Sequence, residues 1–211
     1  MIRSGPTMNK PQHIITASCV IGNDKVYKNG ELIFEGKSAN VSELLPGLYS
    51  FLAPDYPKFY KMDNLSKLGW LATEILLKDS FEKTAYALED VGVVFSNSNS
   101  SLDTDLRYFQ TVSSYPSPSL FVYTLPNIVI GEVCIRHKFQ GENAFFVFEK
   151  FQADFIRQYI SGLLETGAIK ACVCGWVEIL ANEYKAAVFL VEQKDTGLEF
   201  NAANMTSLFN L

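Results

Sequence analysis

Four cysteines, two histidines and a lysine at a strand-to-helix boundary are the groups in this 211-residue chain with the chemistry for covalent or proton-transfer catalysis. Cys19, Cys134, Cys172 and Cys174 all fall inside apolar runs, whereas a thiol needs a cationic or helix-terminal setting to become a thiolate. Cys172 and Cys174, at i and i+2, share one strand face, and two sulfurs do not hold zinc. Buried, reduced thiols are the expectation, with no metal or cofactor site. His13 opens an apolar run, and His137 closes a helical one, where the helix dipole favours an imidazole for ordinary reasons. Neither is placed as a general base.

Lys150 stands where a glycine turn and a short apolar strand give way to a helical pattern. Backbone N–H groups and the dipole at such an opening activate a thiol, and this position has none. An amine there turns nucleophilic only when burial adds to the dipole; an ordinary lysine reaching to water beside Glu149 is the favoured reading. The polar run Ser96 to Ser100 lacks the glycines of a phosphate loop and reads as a capped turn. Asp103, Asp105 and Arg107 read as first-turn charges and a surface pair.

The elements that must position these groups alternate between strand and helix periods. His13 to Gly22 is apolar and β-branched, a first strand. Lys25 to Lys28 and Glu31 to Phe34 flank Asn29-Gly30, a hairpin turn. The aromatic stretch from Pro46 to Pro57 reads as a loop. Asp63 caps a helix presenting Leu65, Leu68, Ala72, Ile75 and Leu76 on one face. Val91 to Phe95 is a buried strand, and Ser100 with Asp103 makes a capping-box variant for a helix presenting Leu102, Leu106 and Phe109. Pro126 starts the next helix, which ends before Gly141. A strand over Asn143 to Phe148 leads into a helix from Lys150 to Thr166, with Phe151, Phe155, Tyr159 and Leu163 at four-residue steps. Lys170 to Leu180 and Lys185 to Glu192 are strands, which makes the class mixed α/β. The division expected is a flexible N-terminus over 1–11, with Met8 as an alternative start, a domain over 12–192, and a docked C-terminal tail over 193–211.

Spacing around Lys150 resembles that of β-ketoacyl synthases. In that family a glycine lies nine residues before the nucleophilic cysteine, another lies seventeen after it, and a Gly-x-x-Glu follows; here Gly141, Gly167, Gly175 and Glu178 stand at those places around position 150. Upstream, Ser101-Leu102-Asp103-Thr104-Asp105 and the run from Ser117-Pro118 to Leu125-Pro126-Asn127 are similar to the approach to the active site in ketosynthases and their chain-length-factor relatives. The resemblance covers roughly residues 12–192. It implies a thiolase-like fold, a mixed β-sheet flanked by helices, corresponding to the N-terminal half of a ketosynthase. The half that would supply two histidines, a lysine and an oxyanion loop is not in this sequence. Chain-length factors carry a glutamine in place of the cysteine, but Gln152 is two residues out of register for that role.

Composition bounds the partners. The net charge of −5 and pI near 5.1 argue against a nucleic-acid surface. No apolar stretch is long enough for a membrane span, and the first twelve residues hold no signal-peptide core. The resemblance implies a cytoplasmic ketosynthase-like protein of fatty-acid or polyketide-type biosynthesis, similar to the accessory synthases of aryl-polyene assembly. With no catalytic residue and Lys150 in the place of the cysteine, it would serve as a chain-length-factor-like partner. Its partners would be an acyl carrier protein and a ketosynthase, or a second copy. The family pairs the strand Asn143, Ala144, Phe145, Phe146, Val147 and Phe148 across its dimer axis, and this strand is apolar on both faces. Two alternatives stand beside this one: an acyltransferase or 3-oxoacyl synthase completed by another chain, and a homodimer binding an acyl chain among its 16 Phe and 10 Tyr.

Overall fold

A computed structural model of the chain describes residues 12–38 and 40–211; the expected flexible N-terminus at 1–11 lies outside them. In chain order the elements are β1 (His13–Gly22), β2 (Lys25–Lys28), β3 (Glu31–Glu35), α1 (Val41–Leu52), α2 (Asn64–Leu77), β4 (Val91–Asn97), α3 (Leu102–Val112), α4 (Pro118–Phe121), α5 (Ile128–His137), β5 (Asn143–Val147), α6 (Ala153–Glu165), β6 (Ala171–Leu180), β7 (Glu183–Gln193), β8 (Leu198–Glu199) and α7 (Ala202–Phe209). The strands form one eight-stranded sheet in the order β3-β2-β1-β7-β6-β4-β5, with β8 beside β1. β4 runs parallel to β5 and β6; the other pairings are antiparallel.

Helices cover both faces, so the central strands are apolar on both sides. On β7, Ala186, Val188 and Leu190 face the layer of α1, α2 and α5, whereas Ala187, Phe189 and Val191 face α6 and α7. β6 divides likewise, with Val173 and Val177 on the first side and Cys172 and Cys174 on the second. β1 has a bulge between Ile15 and Ala17, which reverses the parity of its later residues relative to Ile15. At Asn29 and Gly30 φ is 52° and 83°, the geometry of the expected hairpin turn.

α2 is the centre of one layer. Eleven of its fourteen residues are buried, more than one face, because α1 and α5 pack over it while it lies on the sheet. Its N-cap is Asp63, as expected, with Oδ1 accepting from the Ser66 amide at 2.9 Å. Oδ2 accepts from the Thr104 hydroxyl at 2.7 Å, which fastens α3 to the start of α2. Burial pushes the Asp63 carboxyl above the ordinary carboxylate range, against the lowering effect of its Ser66 and Thr104 hydrogen bonds.

Four boundaries differ from expectation. The stretch after Pro46 is not a loop: α1 runs through Pro46 to Leu52, capped by Asn40. Burial of Val41, Leu44, Leu45 and Leu48 in the core outweighs the one backbone bond that proline removes. Pro126 precedes α5 rather than opening it, and Asn127 is the N-cap. Ser101 rather than Ser100 stands at the N-cap of α3. α6 opens at Ala153, three residues after Lys150. Beyond β7, Phe200 and Met205 are buried in the α6–α7 layer.

Loss of the Asp63 side chain removes a helix cap and leaves Thr104 without its acceptor. Asp63→Ala is expected to lower unfolding free energy by about 2 kcal/mol. Asp63→Asn keeps an oxygen for Ser66 and removes the buried charge, and should recover at least half of that loss; denaturant titration of both variants measures it.

Candidate functional site

The parallel strands β4, β5 and β6 bring their C-terminal ends together, with Asn97 opposite Val147 and Ser96 opposite Trp176. Loops at the carboxyl ends of parallel strands are the usual place for sites in such sheets. The loop after β4 is tightly tied. Asn97 Oδ1 accepts from the Ser100 amide at 2.9 Å, and its Nδ2 donates to the Ser100 carbonyl at 2.8 Å. Glu178 Oε2 accepts from the Ser98 amide and hydroxyl, both at 2.5 Å, and from the Asn99 amide at 3.2 Å. The Glu of the Gly-x-x-Glu motif is therefore an internal cap for the polar run, which is a capped turn as expected. Asp103 Oδ1 accepts from the Ala181 amide at 3.0 Å in the β6–β7 turn, and Ser101 donates to Asp105 at 3.2 Å. These contacts are structural.

The motif glycines have steric reasons. A Cβ on Gly175 would stand 2.0 Å from the Ala187 carbonyl oxygen, and φ there is +147°. One on Gly141 would stand 2.5 Å from the Val91 carbonyl oxygen. Gly167, just past α6, has φ +72°, the left-handed helix terminus that glycine favours.

At the end of β5 the Phe148 amide donates to the Asn97 carbonyl at 2.9 Å. The chain then bends through Glu149 and Lys150, both exposed, before α6 begins. Lys150 is thus not in the first turn of the helix. The intervening residues let Phe151 drop onto the sheet face, where its ring lies 4.7 Å from Phe209, 6.2 Å from Trp176 and 6.4 Å from Phe189. Gln152 takes the N-cap, and its side chain makes no capping bond. Along the outer side of α6, Phe155 lies 4.9 Å from Phe146 and 5.0 Å from Phe148, and Tyr159 lies 5.1 Å from Phe146. Thus the segment from Gly141 to Ala153 brings aromatic side chains and an exposed Lys150 to the helix opening and itself contains no cysteine, while Cys172, Cys174 and Met205 are buried in the layer beneath.

Cys19, Cys172 and Cys174 are buried within the sheet, and Cys134 is half-buried on α5. Burial pushes the Cys19 and Cys174 thiols up and raises Cys134 to about 11; these groups are inert thiols. His13 lies at the sheet end, its Nε2 3.4 Å from Gln193 Nε2. His137 stacks on Phe139 at 5.3 Å and places Nε2 3.0 Å from Glu74 Oε1. Burial alone would raise the Glu74 carboxyl, but hydrogen bonds from His137 and Arg136 outweigh it and hold it below the ordinary range. This trio borders a cavity of about 380 Å³ between the C-terminal ends of α1, α2 and α5, across the sheet from α6. Its cations are those that helix C-termini attract. Among the described residues no group of three or more His, Cys, Asp or Glu is placed to hold a metal, and no helix is long and apolar enough to cross a membrane.

No protein-family profile matches the chain, and neither does any curated protein sequence. Solved structures do. The ishigamide ketosynthase/chain length factor superposes with a TM-score of 0.61 at 18% identity, over 89% of this chain and 64% of that one. The ketosynthase ApeO in complex with its chain length factor ApeC, from Xenorhabdus doucetiae, gives 0.60 at 12% identity, over 95% of this chain and 91% of the matched chain. A β-ketoacyl synthase from Burkholderia phymatum gives 0.61 at 13% identity, over 88% and 60%. The fold is therefore the thiolase-like one of ketosynthase and chain-length-factor chains, a mixed sheet with flanking helices. The chain spans less than two thirds of the length of two of these three neighbours.

The two polar side chains most conspicuous at this end of the sheet should behave oppositely. Glu178→Ala leaves two backbone donors of the 97–101 loop without an acceptor and should lower stability by about 2–3 kcal/mol. Lys150→Ala, on an exposed bend, should change it by less than about 0.5 kcal/mol. Urea unfolding of the two variants alongside the wild type tests the contrast.

Proposed function

We propose that this chain is a non-catalytic partner of an active ketosynthase, acting in the manner of a chain-length factor in fatty-acid or polyketide-type condensation. The observation that carries this reading is the helix opening. The elements that, by the sequence resemblance, would hold a nucleophilic cysteine are β5, the bend at 148–152 and α6. No residue from Gly141 to Ala153 bears a thiol. Lys150 takes the family's cysteine position by spacing, and Gln152 takes the N-cap by geometry. Either way the acyl-carrying sulfur is missing, and neither His13 nor His137 approaches the opening.

β5 supports a pairwise assembly. It is the edge strand of the sheet and pairs with β4 alone among the described strands. Its outer edge thus offers free backbone donors and acceptors, and Val147 and Phe155 beside it are exposed. Asn143, Ala144, Phe145, Phe146, Val147 and Phe148 form the interface toward the synthase, and the aromatic ring set of Phe146, Phe148, Phe155 and Tyr159 forms the wall that this subunit presents to a growing chain. An aryl-polyene type of product suits such a wall, and an acyl carrier protein would deliver the substrate to the partner. Four thiols without a disulfide fit a reducing, cytoplasmic setting.

Incubating the purified chain with acyl- and malonyl-loaded carrier protein should give no acyl adduct by intact-protein mass spectrometry and no condensation product. Co-expression with a ketosynthase from the same organism should yield a one-to-one complex that Ala144→Pro in β5 disrupts. Condensation by the isolated chain, or co-purification unaffected by the β5 proline, would falsify this reading.

A further inference from the structure

The cavity between the C-terminal ends of α1, α2 and α5 lies across the sheet from α6 and takes no part in the helix opening. At about 380 Å³ it falls in the size range of small-molecule sites. Leu52, Leu77 and Phe81 form an apolar wall. The Phe81 ring is fixed by stacking on Tyr86 at 5.4 Å and by an edge contact with Phe139 at 5.7 Å. The basic side chains of the lining are Lys78, Lys83, Arg136 and His137, and Glu74 is the acid among them.

This positive excess is not consumed within the protein. Glu74 is shared: Oε1 accepts from Arg136 Nε at 3.0 Å and stands 3.0 Å from His137 Nε2, and Oε2 accepts from Arg136 Nη2 at 3.4 Å. The guanidinium also lies over Tyr56 at 4.9 Å and Trp70 at 5.8 Å. Arg136 is therefore held in place, while its other N–H donors have no partner among the described residues. Lys78 and Lys83 make no ion pair among the described residues either. The acids next to them in sequence are engaged elsewhere: Asp79 offsets the charge of Lys28, and Glu82 accepts from the Thr84 amide at 3.3 Å and from its hydroxyl. Helix dipoles attract these cations without using up their donors. The Lys78 carbonyl at the end of α2 accepts from Lys28, which does not line the cavity, and the Ala53 amide closes α1 on the Tyr49 carbonyl at 3.0 Å.

A carboxylate on a hydrocarbon body matches both parts of this lining. Free arginine and lysine donors favour an oxyanion, and a neutral ligand would leave them without one. An inorganic phosphate would satisfy the charge but leave the apolar wall in water. We infer that the cavity is a binding site for a small organic monocarboxylate, its oxygens toward Lys78, Lys83 and Arg136 and its hydrocarbon on Leu52, Leu77 and Phe81. The site belongs to the opposite layer from the helix opening, and it does not depend on the synthase pairing proposed through β5.

Titration of the isotope-labelled chain with sodium hexanoate, followed by heteronuclear NMR, tests this, with hexanol as the neutral probe and sodium phosphate as the purely ionic one. Hexanoate should give saturable shifts of the Leu77, Lys78, Phe81 and His137 amides at lower concentration than either control. Lys78 and Lys83 are exposed, so Lys78→Glu and Lys83→Glu should keep the wild-type melting temperature. Each should weaken hexanoate binding about tenfold and leave the response to hexanol unchanged. Hexanoate that leaves those amides unmoved, or that binds both variants as tightly as the wild type, overturns the inference. So does phosphate or hexanol moving the same amides at equal or lower concentration.

Discussion

Parallel alignment of β4 with both β5 and β6 is the constraint on which the rest of the molecule depends. It places three strand ends side by side, so that the loop at 97–101, the bend at 148–152 and the Glu178 carboxylate meet. Parallel neighbours need long crossovers, and those crossovers contribute α5 to one covering layer and α6 to the other, beside α1, α2 and α7. α3, α4 and α5 carry the chain from β4 to β5, and α6 carries it from β5 to β6. The sheet is covered on both faces as a consequence, and its inner strands must be apolar on both sides. A thiolase-like scaffold follows from that arrangement without reference to any active group.

Within the scaffold, polar side chains bind elements together. Glu178 is spent on backbone donors, Asp63 on a helix start and a threonine, and Glu74 on Arg136 and His137. Each of these carboxylates already has its partners, and burial raises the Cys19, Cys134 and Cys174 thiols above their ordinary range. Exposed at the surface are the backbone edge of β5, the Phe155 ring beside it and the apolar stripe of α3 and α4. These three carboxylates serve internal order, and the exposed apolar residues lie at the surface beside β5 and along α3 and α4.

Most of the fold was legible in the sequence because its elements carry strong local signals. β1, the Asn29-Gly30 hairpin, the Asp63 cap, β4, β6 and β7 follow from two-residue alternation, turn dipeptides and capping residues. α1 was hidden by Pro46 and Gly47, whose local cost is outweighed by leucines buried at Leu44, Leu45 and Leu48. The opening of α6 was displaced from Lys150 to Ala153 because the burial of Phe151 against Trp176 and Phe209 is a long-range contact that no local pattern encodes. The rotation of α3 was hidden for the same reason. An apolar stripe on a helix points to something buried, but periodicity does not say whether the covering surface belongs to the same chain.

The sequence by itself determined that no sulfur lies near position 150, that Gly141, Gly167 and Gly175 stand at condensing-enzyme spacing, and that a long segment carries no charge. These are facts about residue type and order, and local chemistry is enough to read them. Only the tertiary structure decided that Glu178 caps a loop, that Gln152 rather than Lys150 heads α6, and that α3 faces outward. Each of those depends on which residues far apart in the chain are brought into contact, because burial and hydrogen-bond partners are set by packing of the whole.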